Sequence, residues 1–197
     1  MTKFRPLQIS RLHSDTQLTY FNNGLPLHVA LEDSALKVMT DLQRVPAVSV
    51  HPESTIDAAL QRMVHGGVRM LFVLDAMGEL VGMVTARDLM GEKPVRVATQ
   101  EQMPRDEVRV ADVMTRRGQI EVLDFDEVSR STVGDLVLTM KQMGRQHALV
   151  EEKNPQPQVR GVFSASQIAR QLGVQIDTGG AVQSFSELEK LLVDHDS

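Results

Sequence analysis

An internal repeat is the feature that most constrains this chain. The triplet Val-Met-Thr at 38–40 returns at 113–115, 75 positions later. The run Gly-Met-Val-Thr at 82–85 is answered by Gly-Val-Phe-Ser at 161–164, 79 positions later. A repeat of this length is one supersecondary unit that buries its apolar face against its neighbour. The 197 residues therefore hold two copies of one unit, with small insertions in the second copy.

Each copy predicts the order β-α-β-β-α. In the first copy, the apolar runs at 47–50 and 69–74 are typical of buried strands, and residues 80–84 return across a turn as a hairpin strand. Ser54 or Thr55 is a suitable cap for a helix starting near position 56, and a Gly-Gly pair ends that helix. A short helix begins at position 85. In the second copy the predicted strands cover 120–125, 147–151 and 158–163, and the predicted helices cover 132–143 and 164–172.

Three segments outside the repeat set the expected domain boundaries. The segment between the copies is polar and contains Pro94 and Pro104, so it is interpreted as a linker. Apolar residues at helical spacing within 184–193 predict a helix that covers the module or meets a partner. The boundaries are an N-terminal extension at 1–35, unit one at 36–92, the linker at 93–108, unit two at 109–173 and a C-terminal helical tail at 174–197.

Composition excludes several function classes. The net charge of −5 and the low aromatic content of 4% argue against a nucleic-acid-binding body. The absence of cysteine removes disulfides, thiolate metal sites and a cysteine nucleophile. The six histidines lack metal-ligand spacing, and no nucleophile elbow, Walker loop or dinucleotide fingerprint is present. With no signal peptide and no apolar run of about 20 residues, we expect a cytoplasmic, non-catalytic protein without metal or membrane contact.

The repeat also carries a family resemblance. The tandem units, the Val-Met-Thr triplets and the run Gly-Met-Val-Thr-Ala-Arg-Asp at 82–88 resemble a CBS-domain pair, the cystathionine β-synthase or Bateman module, over residues 36–173. The resemblance implies an α/β fold of two tandem β-α-β-β-α units with pseudo-twofold symmetry, plus the N-terminal extension and C-terminal helix. It further implies a homodimer and an adenosyl ligand in the cleft between the units: AMP, ADP, ATP, S-adenosylmethionine or a cyclic dinucleotide.

Individual residues acquire roles from this resemblance. It implies that Asp88 holds the ribose hydroxyls and that Thr85 faces phosphate. A carboxylate can accept both hydroxyls of a cis-diol, a residue that begins a helix offers free N–H groups to an anion, and Arg87 could reach a phosphate. The alternative is that Thr85 is only a helix cap and Asp88 only a first-turn acid. The family's adenine lies against the positions occupied here by Ala47, Val48, Arg69 and Met70.

The second copy departs from the pattern. It keeps Ser164 where the first copy has Thr85, but Gln167 stands in the position of the aspartate. Glutamine can bond a hydroxyl but brings no negative charge. We therefore expect one good site centred on Asp88 and a weak or empty second site. Nearby Arg145 and His147 are interpreted as surface and strand residues rather than ligand contacts.

The expected function is an allosteric sensor. Binding of the adenosyl ligand would change the angle between units or protomers and so alter a regulated partner of unknown identity. One alternative is a scaffold or dimerisation protein that has kept the fold and lost the ligand. A second alternative is an enzyme with an unrecognised nucleotide chemistry.

Overall fold

The computed structural model describes residues 24–174 together with residues 8, 9, 11, 13, 15 and 16. The predicted C-terminal helix and most of the N-terminal extension lie outside the described residues. No helix within the described part is long and apolar enough to cross a membrane.

The two copies have the predicted α/β architecture. The first contributes β1 (Thr40–Asp41), β2 (Ser49–Val50), α1 (Ile56–Gly66), β3 (Met70–Leu74), β4 (Leu80–Thr85) and α2 (Ala86–Met90). Then follow α3 (Glu92–Gln100), α4 (Val110–Val113), β5 (Thr115–Arg116), β6 (Val122–Asp124), α5 (Phe125–Val128), α6 (Val133–Met143), β7 (His147–Glu152), β8 (Gln158–Ser164) and α7 (Ala165–Gln171).

The long helix of each copy begins and ends at the predicted residues. The Thr55 hydroxyl accepts the backbone N–H of Ala58 at 3.2 Å, and Gly67 ends α1 in the left-handed region with φ 62°. The second copy repeats both devices: Thr132 forms a capping box at the start of α6, and Gly144 ends that helix with φ 61°. Because hydroxyl caps and left-handed glycines fix helix ends locally, these boundaries were readable from the sequence.

Two four-stranded sheets exchange their edge strands. The strand orders are β2-β3-β4-β5 and β1-β8-β7-β6, so each sheet takes three strands from one copy and a fourth from the other. The exchanged strands β1 and β5 begin at the threonine that ends each Val-Met-Thr triplet: Thr40 pairs with Val162, and Thr115 pairs with Met83. Each triplet therefore marks a short strand that completes the sheet of the opposite unit.

Glycines make this exchange possible. A Cβ atom on Gly82 would lie 2.6 Å from the carbonyl oxygen of Thr115, and one on Gly161 would lie 2.6 Å from the sulfur of Met39. Both distances are far below van der Waals contact. The glycine that opens each Gly-x-x-Thr/Ser run is thus required by the close approach of the other copy's edge strand.

Three apolar clusters hold the units together. Each unit has a core between its sheet and helices, and each core also includes residues that precede the other unit. The core of the second unit includes Ala35, Val38 and Met39. The core of the first unit includes Val108, Val110 and Val113. The third cluster joins the two sheets face to face through Met70, Phe72, Met83 and Leu149. The cleft between the units therefore has a rigid apolar floor.

The expected linker is largely helical. Helix α3 occupies most of its first half, and a 3₁₀ turn follows at Arg105–Glu107. Pro94 misled the sequence interpretation because proline breaks helices in their interior, but here it stands in the first turn, where proline is tolerated. Val97 and Ala98 pack on the core of the first unit, so α3 is part of that unit's structure.

Candidate ligand-binding cleft

Two cavities lie where the units face each other. The first, of about 320 Å³, is called the Gln167 cavity and is lined on opposite sides by the two copies. The second, of about 670 Å³, is called the Asp88 cavity and lies between α2, α3 and the segment that leads into β7. The two cavities share one lining residue, His147.

The Gln167 cavity has an apolar wall and a polar end. The wall comes from the segment before β2 and the loop between α1 and β3, and includes Val45, Pro46, Ala47, Val48 and Val68. The polar end comes from the junction of β8 with α7, where Ser164, Ser166, Gln167 and Arg170 lie together, with Arg69 also in the lining. No lining residue carries a carboxylate, so the charged groups of this cavity attract anions and repel none.

Polar groups at this end are only loosely engaged. The Gln167 side chain accepts a hydrogen bond from the Thr40 hydroxyl at 3.4 Å and donates one to Gln171 at 3.3 Å. The hydroxyls of Ser164 and Ser166 are 3.0 Å apart. Both bonds of Gln167 are near the upper limit for a hydrogen bond, so this amide can re-pair with a ligand hydroxyl at little cost.

The Asp88 cavity is strongly charged. Arg87, Lys93, Arg96 and Arg145 contribute four cationic side chains, and Asp88 and Glu92 contribute two carboxylates. It has no apolar wall comparable with that of the first cavity, since Met83 is its one large apolar lining residue among those described.

Asp88 is already fully engaged. One carboxylate oxygen, Oδ2, accepts the backbone N–H of Thr85 at 2.9 Å and the Thr85 hydroxyl at 2.6 Å. The Thr85 hydroxyl oxygen accepts the backbone N–H of Asp88 at 3.3 Å, which completes a capping box. The other oxygen, Oδ1, accepts the ammonium of Lys93 at 2.5 Å. The Asp88 side chain is only 14% exposed. The helix-cap interpretation of this pair is thus seen directly in the geometry.

His147 is the unusual group of the cleft. Its ring is buried, and Nδ1 has no hydrogen-bond partner in the structure. Burial and, to a lesser extent, the charge of Arg69 lower the pKa of His147 to about 4, against the opposing charge of Asp88. The imidazole is therefore neutral near pH 7.

The structure separates the predicted site residues into two groups. Ala47, Val48, Arg69, Met70, Ser164 and Gln167 line the Gln167 cavity, whereas Thr85, Arg87 and Asp88 line the other. The adenine positions of the first copy and Asp88 thus line different cavities. The pseudo-twofold arrangement causes this, because it places the segment before β2 and strand β3 of one unit against β8 and α7 of the other.

Sequence reasoning missed several residues of the cleft. Arg170 could have been found, because it lies three residues after Gln167 and therefore on the same face of α7, and Ser166 lies one turn before Arg170. His147 was considered and set aside as a strand residue. Lys93 gave no local signal, since it lies on a separate helix within the presumed linker. No group of three or more His, Cys, Asp or Glu residues that could hold a metal occurs within the described residues.

Part of this chain matches a known protein family. The family model of the CBS domain matches residues 35–94. An uncharacterized protein from Methanopyrus kandleri is 32% identical over 65 residues, which amount to 33% of this chain and 33% of that protein. The chain thus spans about a third of the length of the curated relative it matches.

Two solved structures share the fold. An uncharacterized conserved protein from Pyrococcus horikoshii aligns with 77% of this chain and 100% of its own length, at a TM-score of 0.54 and 20% identity. A CBS-domain-containing protein from Agrobacterium tumefaciens aligns with 78% of this chain and 98% of its own length, at a TM-score of 0.51 and 21% identity.

Proposed function

From the match of residues 35–94 to the CBS-domain family model and the fold shared with a CBS-domain-containing protein, we propose that the protein is a regulatory sensor of an adenosyl ligand. The ligand binds in the Gln167 cavity. The observation that carries this proposal is the combination, in one cavity, of an apolar wall with a cationic and hydroxyl-rich end.

The two sides of the cavity match the two halves of a nucleotide. Val45, Pro46 and Val48 offer apolar surface to a purine ring. Arg69, Arg170 and Ser164 offer charge and a hydroxyl to a phosphate. Gln167 replaces the expected aspartate as a partner for the ribose hydroxyls, and it does so without repelling the phosphate.

The position of the cavity supports a regulatory role rather than a catalytic one. A ligand there contacts the segment before β2 and strand β3 of the first copy, and β8 and α7 of the second, so its affinity depends on how the two copies face each other. Such differential affinity is what allows a ligand to shift a conformational equilibrium. The recipient of the signal is a second protein or a second copy of this chain, as in the expected homodimer.

A ligand-free scaffold is the second candidate. The observation favouring it is that Gln167 already bonds to Thr40 and Gln171 within the protein. In that case the cavity would be a remnant, and dimerisation would be the remaining function.

A thermal-shift titration of the protein and of a variant with a blocked cavity distinguishes the sensor from the ligand-free scaffold. AMP, ADP, ATP, S-adenosylmethionine and cyclic di-AMP are tested against the protein and against Ala47→Trp, which places an indole in the cavity at an exposed lining position. The matched control is Ala76→Trp, at an exposed turn outside both cavities. A ligand at a hundred times its Kd adds about 2.7 kcal/mol of stability, or roughly 5–10 °C in Tm.

The sensor predicts a shift with at least one compound that Ala76→Trp keeps and Ala47→Trp loses. Absence of any shift in a cooperatively melting sample would favour the scaffold. A shift that survives Ala47→Trp would place the ligand elsewhere.

A further inference from the structure

We propose that Lys93 is a specificity-determining residue that excludes ribose from the Asp88 cavity and so directs the adenosyl ligand to the Gln167 cavity. This inference rests on the proposed function of the cleft. It concerns a residue outside the repeated motif, on helix α3 between the two copies.

The contacts of Asp88 leave no edge for a diol. A cis-diol binds a carboxylate by donating one hydroxyl to each oxygen. Here Oδ2 accepts two bonds from Thr85, and Oδ1 accepts the Lys93 ammonium at 2.5 Å. A ribose can approach Oδ1 only if the Lys93 ammonium moves away from the Asp88 carboxylate, whose side chain is 14% exposed. Because partly buried ion pairs are screened less than surface pairs, the neutral hydroxyl competes poorly.

The backbone holds Lys93 in this position. The Lys93 ammonium donates a second bond to the carbonyl oxygen of Val113 at 3.2 Å, which ties it to the end of α4. Gly91 lies between α2 and α3, and a Cβ atom there would be 2.6 Å from the carbonyl oxygen of Arg87. Only glycine permits this tight junction, which turns the first residues of α3 back over Asp88. The packing of Val97 and Ala98 on the first unit then fixes α3.

The corresponding position of the other cavity has no such competitor. Gln167 bonds only to neutral groups, at 3.3 and 3.4 Å, among the contacts described for it. The two cavities therefore differ in which polar group meets a ribose: a weakly bonded amide in one, and an ion-paired carboxylate in the other.

Adenosine is the probe that isolates this effect. It carries the base and the diol but no phosphate, so a loss of cationic charge does not alter its affinity through an anion. The test variant is Lys93→Met, which keeps much of the side-chain volume and frees Oδ1. The control is Lys153→Met, which breaks the exposed ion pair with Asp124 at 2.8 Å outside both cavities.

Calorimetric titration counts the sites. Both single variants are also combined with Ala47→Trp, which blocks the Gln167 cavity, and all are checked for cooperative melting. The expected result is that the double variant, Lys93→Met combined with Ala47→Trp, binds adenosine at least about tenfold more tightly than the single variant Ala47→Trp. The reason is that the fraction of Asp88 cavities able to accept ribose rises. Adding Asp88→Asn to the double variant should abolish the gain in adenosine affinity. 2′,3′-Dideoxyadenosine, which lacks the diol, should bind the double variant no more tightly than it binds Ala47→Trp.

The outcomes distinguish this inference from the proposed function. If adenosine binds the unmodified protein but Lys93→Met adds no site, the role of Lys93 is refuted and the Gln167 cavity stands. If Lys93→Met gains binding that Asp88→Asn or loss of the diol leaves unchanged, the role of Lys93 is also refuted. If Lys93→Met binds adenosine while the unmodified protein binds no adenosyl compound, the exclusion is supported and the Gln167 site is refuted. If no variant binds any adenosyl compound, both fail.

Discussion

Replacing His147 by methionine should make the protein resistant to mild acid. The other copy already has methionine at the equivalent position: His147 pairs with Ser164 at the start of β7, and Met70 pairs with Thr85 at the start of β3. Both residues are buried, and Met70 belongs to the apolar cluster that joins the sheets. Methionine therefore fits this environment in the equivalent position of the other copy.

The magnitude follows from the pKa. The pKa of His147 falls from the ordinary 6.5 to about 4 in the folded protein, because burial and the neighbouring Arg69 disfavour the charged ring. The unfolded chain therefore binds more protons than the folded protein between pH 6.5 and pH 4, and stability is lost as pH falls through this window. The free energy of unfolding drops by about 2 kcal/mol between pH 7 and pH 5 from this residue alone.

Urea denaturation at pH 7 and pH 5 measures this loss. The unmodified protein should lose about 2 kcal/mol more than His147→Met over the same interval. Three carboxylates with lowered pKa values, Asp33, Asp124 and Asp135, lose their contribution at lower pH and are common to both proteins. Equal losses in the two proteins would refute the assignment of a buried neutral imidazole to His147.

Three further substitutions test the local structure by thermal or urea denaturation. Gly82→Ala should lower the free energy of unfolding by about 1–3 kcal/mol, because its Cβ meets the Thr115 carbonyl, whereas Gly118→Ala, with open space around it, should not; equal effects would disprove the steric reason. Gly67→Ala should lower the free energy of unfolding by about 1 kcal/mol, because alanine is strained in the left-handed backbone conformation of Gly67; an unchanged stability would contradict this. Thr132→Ala should cost about 0.5–2 kcal/mol by removing the α6 cap, and Thr132→Ser should restore most of it.

Elements with local signals were predictable from the sequence. Helix α1 follows from Thr55 and Gly67, and the β3–β4 hairpin follows from two apolar runs around a turn. These signals act over a few residues, so they are visible in a single chain. The resemblance to a CBS-domain pair rested on the tandem units, the Val-Met-Thr triplets and the run at 82–88; the CBS-domain family model matches residues 35–94, and the fold is shared with a CBS-domain-containing protein.

Long-range features were not predictable in the same way. The strands at Thr40 and Thr115 are two residues long, too short for any periodicity, and their partners lie in the other copy. The polar face of α3 obscured the few apolar residues that pack it on the first unit. The division of site residues between two cavities depends on the face-to-face contact of the sheets, which no local spacing encodes.

The exchanged edge strands have a consequence for the dissection of this chain. A single unit cut out at the repeat boundary would lack the fourth strand of its sheet and part of its core, and it would expose an unpaired strand edge. Such a fragment could complete itself only with the leading strand of a second identical fragment. The exchange of strands within this chain resembles that of a domain-swapped dimer whose two halves are connected through α3, so the two halves should unfold together.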